Sequence, residues 1–134
     1  MNLAHCYEVG SGVIKDIKRA NQLYINAAEK GAITSYYYLG ISYYNGSGIA
    51  ETVDYHKAVK YLDAYVVNMR DFTSISDDSK AVISDALQKL SSCYRFGRGT
   101  ISSEKKADEL LQEAVDYGVP DADAIARVLE WMNQ

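Results

Sequence analysis

Few side chains in this 134-residue sequence could do covalent or metal chemistry: two histidines, His5 and His56, and two cysteines, Cys6 and Cys93. His5 and Cys6 are adjacent, and neighbours on a helix point about 100° apart. A thiol–imidazole pair would therefore need a break in the helix and a third, orienting group, and the sequence supplies neither. There is no Cys-x-x-Cys and no Cys/His cluster at metal-ligand spacing, so each cysteine is expected to be a buried small hydrophobe. Gly10-Ser11-Gly12, Gly46-Ser47-Gly48 and Gly97-Arg98-Gly99 precede expected helices, whose N-termini attract anions. None carries the Lys-Ser/Thr of a phosphate loop or the third Gly of a dinucleotide site, and their recurrence reads as a structural turn. Asp77-Asp78 and Asp121-x-Asp123 could be cation ligands, but both fall at expected helix starts, where Asp caps unpaired amides. The expectation is no catalytic residue, no metal, no cofactor and no enzymatic activity.

Composition narrows the function classes further. Lys plus Arg number 14 against 18 Asp plus Glu, a formal net charge of -4. Neither nucleic acid nor an anionic membrane would be attracted over long range. No window approaches 18 consecutive apolar residues, and Met1 to Gly10 lacks the basic and apolar runs of a secretory signal. A cytoplasmic location without membrane contact is expected. Charge is uneven: residues 80–100 are net basic and 101–134 net acidic. The single Pro interrupts few helices, and a chain of this length buries enough surface to fold without disulfide or metal.

The elements that would position any site come from an internal repeat. Leu3-Ala4-His5-Cys6-Tyr7-Glu8-Val9-Gly10-Ser11-Gly12 aligns with residues 39–48 and 90–99, sharing Leu, a small residue, Tyr, Gly and Gly at fixed offsets. A second shared block follows: Ala20, Ala27 and Gly31; Ala58; Ala107, Ala114 and Gly118. Tyr36, Leu39, Gly40 and Tyr43 lie on one helical stripe, with the small residue admitting a second helix closely. Ala20, Leu23, Tyr24, Ala27 and Ala28 form the apolar face of that second helix, and glycines close both. The spacing of Gly10 to Gly46 is 36 residues and that of Gly46 to Gly97 is 51, so the second unit carries 15 more. Most of the excess lies between Ala58 and Leu90 and predicts a longer helix pair joined by an exposed loop near residues 70–80, ending in an N-cap. The units are about 1–31, 32–79 and 80–118, followed by a capping helix over 119–134 that contains Trp131 and Met132. The predicted fold is all-α, an α/α superhelix.

This pattern resembles the sel-1-like repeat (SLR) family, a relative of the tetratricopeptide repeats, best at Lys18 to Gly31 and Leu39 to Gly48. Unit two departs with Tyr65-Val66 at the Ala pair and unit three with Ala114-Val115. The resemblance implies a protein-binding module whose leading helices line a concave face. By register that face holds His5, Glu8, Tyr37, Ile41, Tyr44, Asn45, Ser92, Arg95 and Phe96, with Thr34, Val9 and Gln88 beside them. Tyr44 occupies the position of Glu8 and Arg95, and Tyr38 that of Asn2 and Lys89; positions that accept charge are expected to be exposed, and exposed aromatics and Arg anchor interfaces. Adaptor and toxin-neutralising (immunity) roles both fit this module. Two alternatives stay open: an enzyme akin to cysteine-rich relatives acting on cell-wall or β-lactam substrates, and a structural protein self-associating through an exposed array end.

Overall fold

The computed structural model describes residues 3–10, 12–50, 52–72 and 74–118. The elements assigned among them are six helices: α1 (Leu3–Val9), α2 (Ile17–Glu29), α3 (Thr34–Asn45), α4 (Tyr55–Arg70), α5 (Asp77–Phe96) and α6 (Glu104–Asp116). The expected capping helix, with Asp121, Asp123, Trp131 and Met132, lies outside the described residues. Each helix packs on the next, α1 on α2, α3 on α4 and α5 on α6, with α2 against α3 and α4 against α5 joining the pairs. This is the α/α superhelix that the repeat predicts.

The three turns within pairs close in one way. Gly46 and Gly97 end α3 and α5 in the left-handed conformation. The backbone N–H of the next helix's N-cap then donates to the carbonyl of the repeat Tyr: Asp16 to Tyr7 at 2.8 Å, Asp54 to Tyr43 at 2.9 Å and Ser103 to Tyr94 at 2.8 Å. The same three caps accept from the amides of Arg19, Lys57 and Lys106, which satisfies one orphan donor per helix. In two units the basic residue before the shared Ala also lies over the repeat Tyr, Arg19 at 5.0 Å from the Tyr7 ring centre and Lys57 at 5.1 Å from that of Tyr43. One motif thus fixes the angle between helices three times.

The small-residue position has the predicted purpose. A Cβ at Gly40 would come within 2.6 Å of both Cγ and Cδ2 of Leu62, so α3 and α4 touch where no side chain intervenes. Its counterparts Ala4 and Ser91 are buried, and Ser91 Oγ donates to the Ala107 carbonyl at 2.8 Å. Ala20, Tyr24, Leu39, Tyr43, Ala58 and Tyr61 form one core cluster; Leu62, Val66, Ile83, Leu87, Leu90 and Leu110 form the next.

The extra residues of the middle region extend two helices. α4 runs 16 residues and α5 runs 20, against 13 for α2 and α6. Ser76 caps α5 by accepting from the Ser79 amide, the N-cap that the Ser/Asp run predicts. The extension is packed on one side: Val66 and Ile83 are core, and Arg70 at its end makes a two-point hydrogen bond to Glu113 of α6, Nε–Oε2 2.8 Å and Nη2–Oε1 2.5 Å. Val67 and Phe72 remain exposed on its outer side.

Candidate protein-interaction face

The leading helices α1, α3 and α5 carry the residues that register points to, and tyrosine–carboxylate bonds lace them together. Glu8 of α1 accepts from the Tyr24 hydroxyl at 3.1 Å and from the Tyr38 hydroxyl of α3. On the other side of α3, the Tyr37 hydroxyl donates to Asp85 of α5, and Lys89 holds the same carboxylate at 2.7 and 2.9 Å. Tyr37 also packs against Tyr65, ring centres 5.4 Å apart. For Glu8, whose side chain is largely enclosed, such bonds supply the partners without which its burial would be costly.

Two expectations are corrected by this geometry. Glu8 and Arg95 were the grounds for treating their register position as exposed, yet each side chain is only 11% exposed. Arg95 Nη2 donates to Asp108 of α6 at 2.7 Å, and its Nε is buried without a hydrogen-bond partner among the described residues. Charge at a position implies exposure only when no neighbouring helix satisfies it, and here other helices do so in both units, with the Tyr24 and Tyr38 hydroxyls on Glu8 and the Asp108 carboxylate on Arg95. Tyr44 is accordingly half-buried, edge-on to Tyr55 at 5.6 Å, with Lys89 Nζ 5.6 Å from its ring centre. Tyr38 is half-buried through its bond to Glu8.

Of the remaining candidates, Ser92 is buried and offers no surface, while Ile41 and Tyr37 are half-buried against the second core cluster. His5, Asn45 and Phe96 are exposed, as are Thr34 and Val9, and Gln88 is half-buried with its amide on Ser84. His5 Nδ1 lies 3.8 Å from Glu8 Oε1. A cleft of about 340 Å³ opens between α1, α2 and α3, lined by His5, Tyr24, Thr34, Ser35 and Tyr38. The leading face is therefore a firm floor of bonded Tyr and carboxylate groups with His5, Asn45 and Phe96 standing out from it.

Sequence reasoning missed Asp85, Tyr24, Tyr55, Lys89 and Arg98 as parts of this face. Asp85 and Lys89 carried a signal as an i, i+4 pair. The other three matter through contacts between helices, Tyr24 on Glu8, Tyr55 on Tyr44 and Arg98 on Tyr55, which register along a single helix does not reveal.

Cys93 is buried and its thiol is pushed up to about 11 by that burial, opposed by the Arg98 charge. Cys6 is half-buried in α1, a helix separate from that of Cys93. Among the described residues no three His, Cys, Asp or Glu side chains gather as metal ligands, and no helix is long and apolar enough to cross a membrane.

The tyrosine bonds have a pH signature. Burial, reinforced by the Glu8 charge, pushes Tyr24 up to about 12, and Tyr37 and Tyr38 are likewise raised by burial and by their bonds to Asp85 and Glu8. In the unfolded chain these phenols ionise near 10. The folded state then holds more protons above pH 10, so stability is full below that pH and falls as pH rises from 10 to 12. Urea midpoints measured from pH 8 to 12 should drop over that window, and Tyr37→Phe with Tyr38→Phe should flatten the drop.

A Sel1 repeat model matches residues 1–31, 33–63 and 84–118. The chain belongs to the Sel1 repeat family. Its three Sel1 matches correspond to the three helix pairs and leave 64–83 unmatched, the stretch that holds the extension of α4 and α5. Two solved structures share the fold. One is c5321, a protective antigen present in uropathogenic Escherichia coli strains that displays an SLR fold, at 25% identity and a TM-score of 0.62 over 87% of this chain. The other is a Sel1 repeat protein from Oxalobacter formigenes, at 27% identity and a TM-score of 0.61 over 86%. The Sel1 chain described here spans 22% and 41% of their respective lengths. Among curated proteins, none matches it by sequence.

Proposed function

We propose that this Sel1 repeat chain is a non-catalytic protein-interaction module that binds a partner protein or peptide across the face of α1, α3 and α5. Its use would be that of a cytoplasmic adaptor or a toxin-neutralising protein. The observation that carries the reading is the division of labour on that face. Glu8, Tyr37, Tyr38 and Asp85 are spent on locking the helices together, while His5, Asn45 and Phe96 project outward. A preorganised surface loses little conformational freedom on binding, which is how such a scaffold gains affinity. Tyr44 and Ile41 would form the half-buried apolar base on which a partner side chain rests, and aromatic anchors of this kind dominate interface energetics.

The test is capture from native extract by immobilised chain, comparing wild type with an Asn45→Ala, Phe96→Ala variant. A Lys18→Ala, Lys105→Ala variant, changed at exposed positions in the first turns of α2 and α6, serves as control. The leading-face variant should weaken a saturable partner about tenfold or more, as loss of an interface anchor does, and the control should not. Equal retention by both variants would count against this face.

A further inference from the structure

The turn between α5 and α6 holds a cation that the fold itself does not use. Residue x of the three Gly-x-Gly turns is Ser11, Ser47 and Arg98, so the turn has no need of an arginine. Arg98 is exposed, with its Cζ 5.1 Å from the ring centre of Phe96 and 5.4 Å from that of Tyr55. Both rings are also particular to this junction: Phe96 stands where the other units have Val9 and Asn45, and Tyr55 where they have Ile17 and Glu104. The turn cannot drift from Tyr55, because Gly99 lies so close that a Cβ there would fall 2.3 Å from the Tyr55 carbonyl carbon. The other cations of this basic stretch that face the leading surface are neutralised, Lys89 by Asp85 and Arg95 by Asp108. Among the described residues the Arg98 guanidinium forms no hydrogen bond or ion pair.

A guanidinium held against aromatic faces keeps its N–H edge free, and that edge is the shape that accepts a carboxylate through two parallel bonds. The surroundings are apolar: Phe96 is 46% exposed and Ile101, three residues beyond Arg98, is 88% exposed. Resting on the reading of this chain as an interaction module, we infer that the Tyr55–Phe96–Arg98 cluster is the docking point for an acidic peptide segment, one in which Asp or Glu neighbours an apolar residue. The carboxylate takes the Arg98 edge and the apolar neighbour lies against Phe96 and Ile101. The net charge of -4 repels a polyanion as a whole, so a short acidic segment fits where a nucleic acid would not.

The experiment uses the whole chain labelled with ¹⁵N and two probes, acetyl-Leu-Asp-Glu-Leu-amide and its neutral counterpart acetyl-Leu-Asn-Gln-Leu-amide. The acidic peptide should give saturable shifts centred on the Arg98 Nε–H and the amides of 97–102, with the neutral peptide roughly tenfold weaker or more, as the loss of charge-assisted bonds implies. Arg98→Ser, a residue already borne by the two other turns, should abolish the response with the rest of the spectrum unchanged; Arg98→Lys, which keeps charge but not the fork, should recover only part of it. Equal shifts from both peptides, no shift from either, or an acidic response that survives Arg98→Ser would overturn the inference. If acidic selectivity fails while partner capture still depends on Asn45 and Phe96, the inference alone falls. If Arg98 selects the acidic peptide while capture is indifferent to Asn45 and Phe96, the leading-face reading falls instead.

Discussion

Gly99→Ala should destabilise the chain by about 3 kcal/mol or more, the sum of left-handed strain for a residue with Cβ and of steric overlap with packed atoms. Gly99 has φ +73°, and the atoms a Cβ would strike are the carbonyl carbon and oxygen of Tyr55 and the amide of His56, at 2.3, 2.4 and 2.5 Å. These are backbone atoms at the start of α4, so no rotamer change relieves the contact and the turn must lift off the helix. Gly12 is the matched control, with φ +76° and nothing within 4 Å of a built Cβ. Gly12→Ala should therefore cost only about 1–2 kcal/mol, the strain alone. Urea unfolding of the two variants checks the difference. Equal losses would mean that the approach of the third turn to α4 carries no energy.

Leu62→Ala should cost about 2–5 kcal/mol, because a fully buried leucine leaves both lost transfer energy and a cavity. Leu62 is 0% exposed and its Cγ and Cδ2 occupy the space that Gly40 leaves open. Gly40→Ala alone should also destabilise: the roughly 1 kcal/mol gained in helix propensity is outweighed by a methyl group placed 2.6 Å from two atoms of a side chain enclosed in the core. The two changes should interact. In the Leu62→Ala background the added methyl enters the vacated volume, so the double variant should be more stable than the sum of single losses by about 1 kcal/mol or more. Strict additivity in this cycle would contradict the packing described for α3 on α4.

The helix pairs were legible because one pattern occurs three times: Leu39, Gly40 and Tyr43 have counterparts at fixed offsets, and a helix stripe repeated in register is hard to mistake for a strand. The small position was legible for the same reason, since Ala4, Gly40 and Ser91 share only their size. What failed was the inference from charge to exposure at Glu8 and Arg95. Their partners, Tyr24, Tyr38 and Asp108, come from other helices 13 to 30 residues away, and comparison of units within a column does not see across columns. Asp85 stayed hidden for a related reason: it sits in α5 just after the extension, where the expected loop drew attention away from the helix. The excess length was located correctly between Ala58 and Leu90, and its physical form is two longer helices, anchored at the far end by Arg70 on Glu113.

The proposed interaction face thus differs from its first outline in composition more than in place. Charged and tyrosyl groups once assigned to a partner hold α1, α3 and α5 together, and the outward edge runs from His5 past Asn45 to Phe96 and Arg98. Hydroxyl-radical footprinting of the chain with and without its captured partner tests this most directly, because it reads the solvent access of individual His, Tyr and Phe side chains. The account predicts that oxidation of His5, Tyr44 and Phe96 falls on binding while Phe72, exposed on the far extension, is unchanged. Protection of Phe72 with His5, Tyr44 and Phe96 unaffected would place the partner on the α4–α5 extension and contradict the assignment of the leading face.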